Sequence, residues 1–309
     1  MAAGEPVTLQ SSGRKREIQD FWGALYDSLY EDVDRDLTRE RLLRSLEDLE
    51  DMFYYRRHLA VVEMPLEDLR GLSILEVGSG AGGHSALFAR HGARVTSVDL
   101  TLSRVRSTRA KFELMDGLES GTAALQCDAE NLPFANGSFD IVYSNGVLHH
   151  TPNTEAAIAE VHRVLKPAGR AVLMLYCRSS WHYWVNLFLC VGLLQGRAFR
   201  DPDWLGRATE WGGKNVQTRE NPVTRCYTRR QVFELLRLFE EVSLRKGDFF
   251  FYLIPKIGRM YRRYQIRRHG THPGGILVYG EPWPIQSRLE LALGRLIGFS
   301  WWISARKPV

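Results

Sequence analysis

The stretch Ile74-Leu75-Glu76-Val77-Gly78-Ser79-Gly80-Ala81-Gly82-Gly83 constrains this chain more than any other. An apolar run, Ile74 to Val77, ends in small residues, and a helical segment, His84 to Arg90, follows. The backbone must turn sharply there and come close to something, which glycine allows at least cost. A second apolar run, Ala93 to Val98, ends in Asp99. An acid at the tip of the second strand of a doubly wound sheet suits the two hydroxyls of a ribose. A nucleoside-containing ligand is therefore expected.

The glycine spacing decides which kind. Dinucleotide sites carry G-x-G-x-x-G and place a pyrophosphate on a helix N-terminus. Here the run reads E-x-G-x-G-x-G, with Glu76 two residues before the first glycine. A carboxylate at that point repels a phosphate and attracts an ammonium group. A ligand with an amino-acid tail and no phosphate fits, and S-adenosylmethionine is one. Taken alone, the turn is equally compatible with a strand-to-helix connection that binds nothing.

Further motifs follow in order. Cys127-Asp128-Ala129-Glu130-Asn131-Leu132-Pro133-Phe134 comes after a third apolar stretch, Thr122 to Leu125. Ser138 to Ser144 reads as a fourth strand and leads into Asn145-Gly146-Val147-Leu148-His149-His150. A helical pattern from Glu155 to Leu165 stops at Lys166-Pro167-Ala168-Gly169, and Arg170 to Tyr176 reads as a fifth strand. On E-x-G-x-G-x-G, Val98-Asp99, D-A-E-x-L-P-F and H-R-V-L-K-P-x-G, residues 70–176 resemble the class I S-adenosylmethionine-dependent methyltransferases. The similarity is to the methyltransferase type 11 group that includes quinone-biosynthesis enzymes. The resemblance implies a doubly wound, Rossmann-like α/β sheet of seven strands with the seventh antiparallel. It implies S-adenosyl-L-methionine as cofactor and S-adenosyl-L-homocysteine as product. By position, Glu76, Gly78, Ser79, Gly80 and Gly82 would hold the methionine part. Asp99 would take the ribose hydroxyls, with Leu100 against the adenine. Asp128 would meet the adenine amino group, and Ala129 would donate a backbone N–H to the ring. Asn145, Gly146 and Val147 would line the methionine end and face the acceptor.

Composition sets limits on the rest. In 309 residues the hydrophobic share is 44%, enough for a packed core. The longest apolar stretch, Trp184 to Leu194, is too short for a bilayer, which needs about 20 residues. Residues 1–17 are polar with no apolar signal core. The cysteines Cys127, Cys177, Cys190 and Cys226 show neither disulfide nor zinc spacing, so a reduced, cytoplasmic setting is expected. Net charge is +5, a weak pointer to an anionic partner.

Outside the core, residues 1–13 are expected to lack order, and residues 1–70 to form a tail and a helical cap. In that cap Phe21, Leu25 and Leu29, then Leu42, Leu46, Leu49 and Phe53, recur at helical spacing. Tyr54, Tyr55 and Arg56 are candidates to reach the cofactor, or else ordinary surface residues. After the core (71–176) come an apolar and aromatic insertion (177–227), a core helix and sixth strand (228–246), a basic and aromatic insertion (247–298) and the last strand (299–309). In the second insertion the spacing of Lys256, Arg259, Arg262, Arg263, Arg267 and Arg268 puts several of these cations on one helical face, with Ile257, Tyr261 and Tyr264 interleaved. Such a face (256–268) is either solvated surface or a contact with an anionic membrane. No RNA-binding module and no N-P-P-[YF]-type motif is present, which argues against nucleic acid.

Methyl transfer from a sulfonium needs alignment and exclusion of water more than proton chemistry. Where a general base helps, His149 and His150 are best placed, with His182, Tyr176 and Tyr183 behind them. Adjacent histidines without a spaced third ligand do not make a metal site. The expected activity is methylation of a small or lipid-like apolar acceptor. The alternatives are other chemistry with the same cofactor, such as cyclopropanation, or a membrane-surface or partner-binding protein on this fold.

Overall fold

The computed structural model describes residues 7–209, 220–254, 258–271, 277–278, 281–282 and 284–309. Helices α1 (Val7–Arg35), α2 (Arg39–Arg56) and α3 (Leu59–Val62) precede the sheet. Residues 7–13 thus open α1, where no order was expected. Thr38 caps α2, its Oγ1 accepting the Arg41 N–H at 3.3 Å. The core then alternates: β1 (Ser73–Val77), α4 (Gly83–Arg90), β2 (Arg94–Asp99), α5 (Leu102–Glu113), β3 (Ala123–Gln126), β4 (Phe139–Asn145), α6 (Thr154–Val164) and β5 (Leu165–Cys177). The fifth strand begins before Arg170 because residues 165–169 continue it through a register shift against β4, with Ala168 at φ 59.

The first insertion holds a π-helix (His182–Leu194), α7 (Arg197–Arg200), α8 (Trp204–Thr209) and the two-residue β6 (Cys226–Tyr227). Next come α9 (Arg229–Leu235), closed by a Thr228–Gln231 capping box, and β7 (Glu240–Gly247). The second insertion holds α10 (Gly258–His269), the short pair β8 (Leu277–Val278) and β9 (Glu281–Pro282), and α11 (Arg288–Ile297). β10 (Ser300–Arg306) ends the fold.

The main sheet runs β3-β2-β1-β4-β5-β10-β7, with β6 attached to the end of β5, so it has eight strands rather than seven. β1 to β5 are parallel, and β10 is antiparallel to both β5 and β7. Strand order reverses at β1, which has β2 on one side and β4 on the other. Ligands of doubly wound sheets bind beyond the carboxyl ends of the strands at such a point.

Each sheet face buries its own core because successive side chains alternate. Ile74, Tyr143, Val172 and Trp302 pack with Leu42, Leu46 and Phe53 of α2 and Phe88 of α4. Leu75, Val142, Leu173 and Trp301 pack on the opposite face with Ile158 and Val161 of α6 and Val232 of α9. The helical cap is therefore part of the first core rather than an appendage. Among the described residues no helix is long and apolar enough to cross a membrane.

Candidate active site

The chain leaves β1 through glycines that no other residue replaces easily. Gly78 has φ +81, and a Cβ there would lie 2.3 Å from Val147 Cγ2. The Gly78 N–H donates to the Val98 carbonyl at 2.7 Å, which ties the turn to the end of β2. Around this turn lies a cavity of roughly 460 Å³, within the usual range for ligand sites. Glu76, Gly78, Ser79, Gly80, Asp99, Leu100, Asp128, Ala129, Asn145, Gly146, Val147 and His150 all line it. Gly82 does not. It caps α4 at φ +76, where a Cβ would meet Thr108 Oγ1 at 2.6 Å, so its part is to seat α4 on α5.

Burial dominates the electrostatics. Glu76 is 2% exposed, and its Oε2 accepts a hydrogen bond from the Ser85 hydroxyl. Desolvation pushes its pKa up to about 8, with the Asp99 charge adding to the shift. Among the described residues its one ion-pair neighbour is His84, with Nδ1 at 3.9 Å from Oε1. Burial pulls that imidazole down to about 4, so it is neutral and leaves the carboxyl unneutralised. A cationic ligand group is what this position lacks. Asp99 is also raised by burial, opposed by N–H donors from Thr101 (2.8 Å) and Gly80 (3.0 Å). At the far end of the cavity, Asp128 Oδ1 accepts the Glu130 N–H at 2.9 Å.

Helix α1, within the cap expected over residues 1–70, lines the site. Lys15 reaches across to Asp128 and to Glu130, the latter at 2.8 Å. The Tyr26 hydroxyl would lie 3.0 Å from a Cβ on Gly80. The Trp22 ring lies 5.0 Å from that of His150. Asp27 and Asp34 pair with Arg104 (2.6 Å) and Lys111 (2.8 Å) of α5 and hold the helix down. The one local signal is an aromatic series at spacing four, Trp22, Tyr26 and Tyr30, all of which line the cavity. At the end of α2, Arg56 and Phe53 reach the cavity, but Tyr54 and Tyr55 do not. Their hydroxyls donate instead to Glu67 and to the Gln286 carbonyl.

The two adjacent histidines separate. His149 is fully buried, its ring against Tyr176 at 3.9 Å, and it does not line the cavity. The 3-10 turn Leu148–His150 sends consecutive side chains in different directions, so only His150 reaches the site. His150 Nδ1 lies 2.9 Å from the Val223 carbonyl, an acceptor only, and donates to it in the tautomer that leaves Nε2 able to accept a proton. Nε2 is left buried with no protein partner. Burial lowers the group to about 4. Of the other candidates Tyr176 lines the cavity, whereas His182 and Tyr183 do not.

This fold and site suit a nucleoside ligand bearing a cationic amino-acid tail. Residues 75–173 match the methyltransferase domain model. An uncharacterized methyltransferase of Synechocystis sp. is 33% identical over 43% of this chain and 62% of its own length. Demethylmenaquinone methyltransferase of Lactococcus lactis is 31% identical over 46% of this chain and 60% of its own length. The chain thus spans about three fifths of the length of these curated relatives. A chain in the complex of the Haloferax volcanii Trm112 methyltransferase activator with a methyltransferase superposes with a TM-score of 0.51 over 89% of this chain and 100% of that chain. At 16% identity that likeness shows the fold alone. Residues 75–173 are thus similar to the methyltransferase domains of these proteins.

The raised Glu76 carboxyl makes a prediction for the ligand-free protein. A carboxyl at about 8 in the fold and 4.5 when unfolded binds its proton more tightly in the fold. Between those values the folded state holds the extra proton, so stability falls as pH rises, by up to about 1.4 kcal/mol per pH unit. Denaturant midpoints measured from pH 5.5 to 8 should fall more steeply for wild type than for Glu76→Gln, which should be the more stable at pH 8. Parallel curves for the two proteins would refute the shift.

Proposed function

We propose that this protein transfers the methyl group of S-adenosylmethionine to a small or lipid-like apolar acceptor. The observation that carries the reading is the buried Glu76 beneath the glycine turn, with no charged partner among the described residues, which suits the ammonium of the cofactor's methionine tail. Gly78, Ser79 and Gly80 would hold that tail, Asp99 suits the ribose hydroxyls, and Asp128, Ala129 and Leu100 would meet the adenine; all line the cavity. The bound cofactor supplies an electrophilic methyl group on a sulfonium.

The protein's own part is to align the acceptor and keep water out. Helix α1 closes one side of the cavity with Trp22 and Tyr26. Val33, Leu37, Leu42, Leu46, Leu49 and Met52 also line the cavity, which supports an acceptor with a hydrocarbon portion. The name of the Lactococcus relative, a demethylmenaquinone methyltransferase, points to the same class. His150 takes the acceptor proton at Nε2 while Nδ1 donates to Val223. A base this weak suffices when the proton becomes acidic as the new bond forms. The unpaired cysteines support a reducing compartment.

We infer also that α10 rests on an anionic membrane surface. Arg259, Arg263, Arg267 and Arg268 are exposed, and the helix carries no acid. Met260, Tyr264 and Ile266 stand exposed among them. Each such cation near an anionic surface contributes about 1 kcal/mol. Lys256 and Ile257 lie outside the described residues.

Calorimetric titration with S-adenosylhomocysteine tests cofactor binding. Glu76 ionises opposite the ammonium, so affinity should rise between pH 6 and 8, approaching tenfold per unit. Glu76→Gln should flatten that rise, and Asp99→Ala should weaken binding by about tenfold or more, roughly 1.4 kcal/mol. Absence of binding at every pH would sink the reading.

His150→Ala should bind S-adenosylhomocysteine as wild type does. It should lose about a hundredfold or more in label transferred from methyl-labelled cofactor to acceptors in a lipid extract. An unchanged transfer rate would remove His150 as the base.

Replacing Arg263 and Arg267 together by Glu should abolish co-sedimentation with phosphatidylglycerol vesicles. Retained binding would make α10 solvated surface.

A further inference from the structure

The first insertion carries a feature that methyl transfer does not use. His182–Leu194 contains no Asp, Glu, Lys or Arg and is wound as a π-helix, a rare form that recurs at functional positions. Its i→i+5 bonding brings residues four and five apart onto one side. Trp184, Leu189 and Leu193 form such a stripe, and Leu194 and Phe199 prolong it. Their exposures are 49%, 44%, 38%, 76% and 77%. The opposite side is fixed to the fold: Tyr183, Asn186 and Leu187 are buried, and Asn186 Nδ2 donates to the Leu253 carbonyl at 2.7 Å. A contiguous apolar stripe of this kind marks an interaction surface, unlike scattered single residues.

Charge indicates the partner. No acidic residue occurs from Cys177 to Arg200, whereas Arg178, Arg197 and Arg200 stand at the two ends of the apolar segment. An apolar strip with Trp and Leu on its face and Arg at its ends matches the interfacial layer of an anionic bilayer. The segment is too short to span one, so it would lie in the plane of the surface. Leu253, which receives the Asn186 bond, lies five residues before Gly258, the start of α10.

We infer that the Trp184–Leu189–Leu193–Leu194 stripe inserts into the headgroup layer of an anionic membrane. The choice of an anionic bilayer rests on the membrane reading of α10, while the inserted element is a separate claim. The segment leaves β5 at Cys177, next to Tyr176 of the cavity wall. Insertion therefore brings the cavity close to the layer in which an apolar acceptor dissolves.

The test uses the full chain and vesicles of phosphatidylcholine and phosphatidylglycerol, with acyl chains brominated near the headgroup. Bromine should quench the emission of vesicle-bound wild type, and Trp184→Phe should lose that quenching while still co-sedimenting. Replacing Leu193 and Leu194 together by Asp should weaken co-sedimentation about tenfold or more, with S-adenosylhomocysteine affinity unchanged. Binding without any Trp184-dependent quenching would overturn the insertion and leave the α10 reading standing. No vesicle binding by wild type would overturn both. A concentration-dependent dimer in sedimentation velocity, abolished by the Asp pair and accompanied by no quenching, would put a second copy on the stripe and overturn the membrane assignment.

Discussion

The exit from β1 is the constraint from which the working end of the sheet is built. Gly78 sits at φ +81, with Val147 occupying the space a side chain would need. The ends of β1 and β4 can therefore approach at the point where strand order reverses. The same turn bonds to Val98 at the end of β2, and Gly80 donates its N–H to Asp99. Two residues on, Gly82 lets α4 start directly against Thr108 of α5. Three strand ends and two helices are thus registered by one short segment, and the acids that face a ligand inherit their positions from it. Any residue with a Cβ at Gly78 would have to displace β4 or abandon the left-handed backbone.

The sheet and the acid positions were legible because they are local. A strand, its turn and the acid at the next strand's tip lie within a few tens of residues, and hydrophobic period marks each. Ends were less clear: Pro167 and Gly169 suggested a boundary, yet β5 runs through them with a register shift. The two-residue β6 has no periodicity to detect. A helical cap was legible, but the contacts that hold it over the site were not. Lys15 meets Asp128 over a separation of 113 residues, and no spacing rule connects them. Nor does the pair His149-His150 say which ring matters. That is decided by Val223 and Thr224, insertion residues more than 70 positions later, whose oxygens lie against His150 Nδ1. The stretch Tyr54-Tyr55-Arg56 divides for the same reason, because the end of α2 turns only Arg56 towards the cavity.

Helix α1 is held by charge as much as by its apolar face. Ile18, Phe21 and Leu25 are buried beneath it, while Asp27, Asp34 and Lys15 reach partners on the core. Part-buried ion pairs contribute little net stability because desolvation offsets attraction, but an unmatched charge there is costly. These pairs therefore favour one placement of the helix over its neighbours more than they add stability. The placement sets Trp22 against His150 and Tyr26 over Gly80, so one wall of the cavity packs on the ring proposed as the base.

Desolvation acts with opposite sign on the two groups that matter most. It raises Glu76 to about 8 and lowers His150 to about 4, so both are neutral in the empty cavity at neutral pH. A cation entering beside Glu76 changes that balance, since the carboxylate then gains a partner and ionises. His150 has no such partner at Nε2, and an imidazolium there is opposed by the same burial that keeps the ring neutral. The Val223 carbonyl, which accepts from Nδ1, offsets part of that cost. In the proposed role Nε2 would hold a proton only briefly and return to the neutral form before the next acceptor arrives. A site arranged in this way favours acceptors whose proton is surrendered late, as the methyl group arrives, over those that must be ionised beforehand.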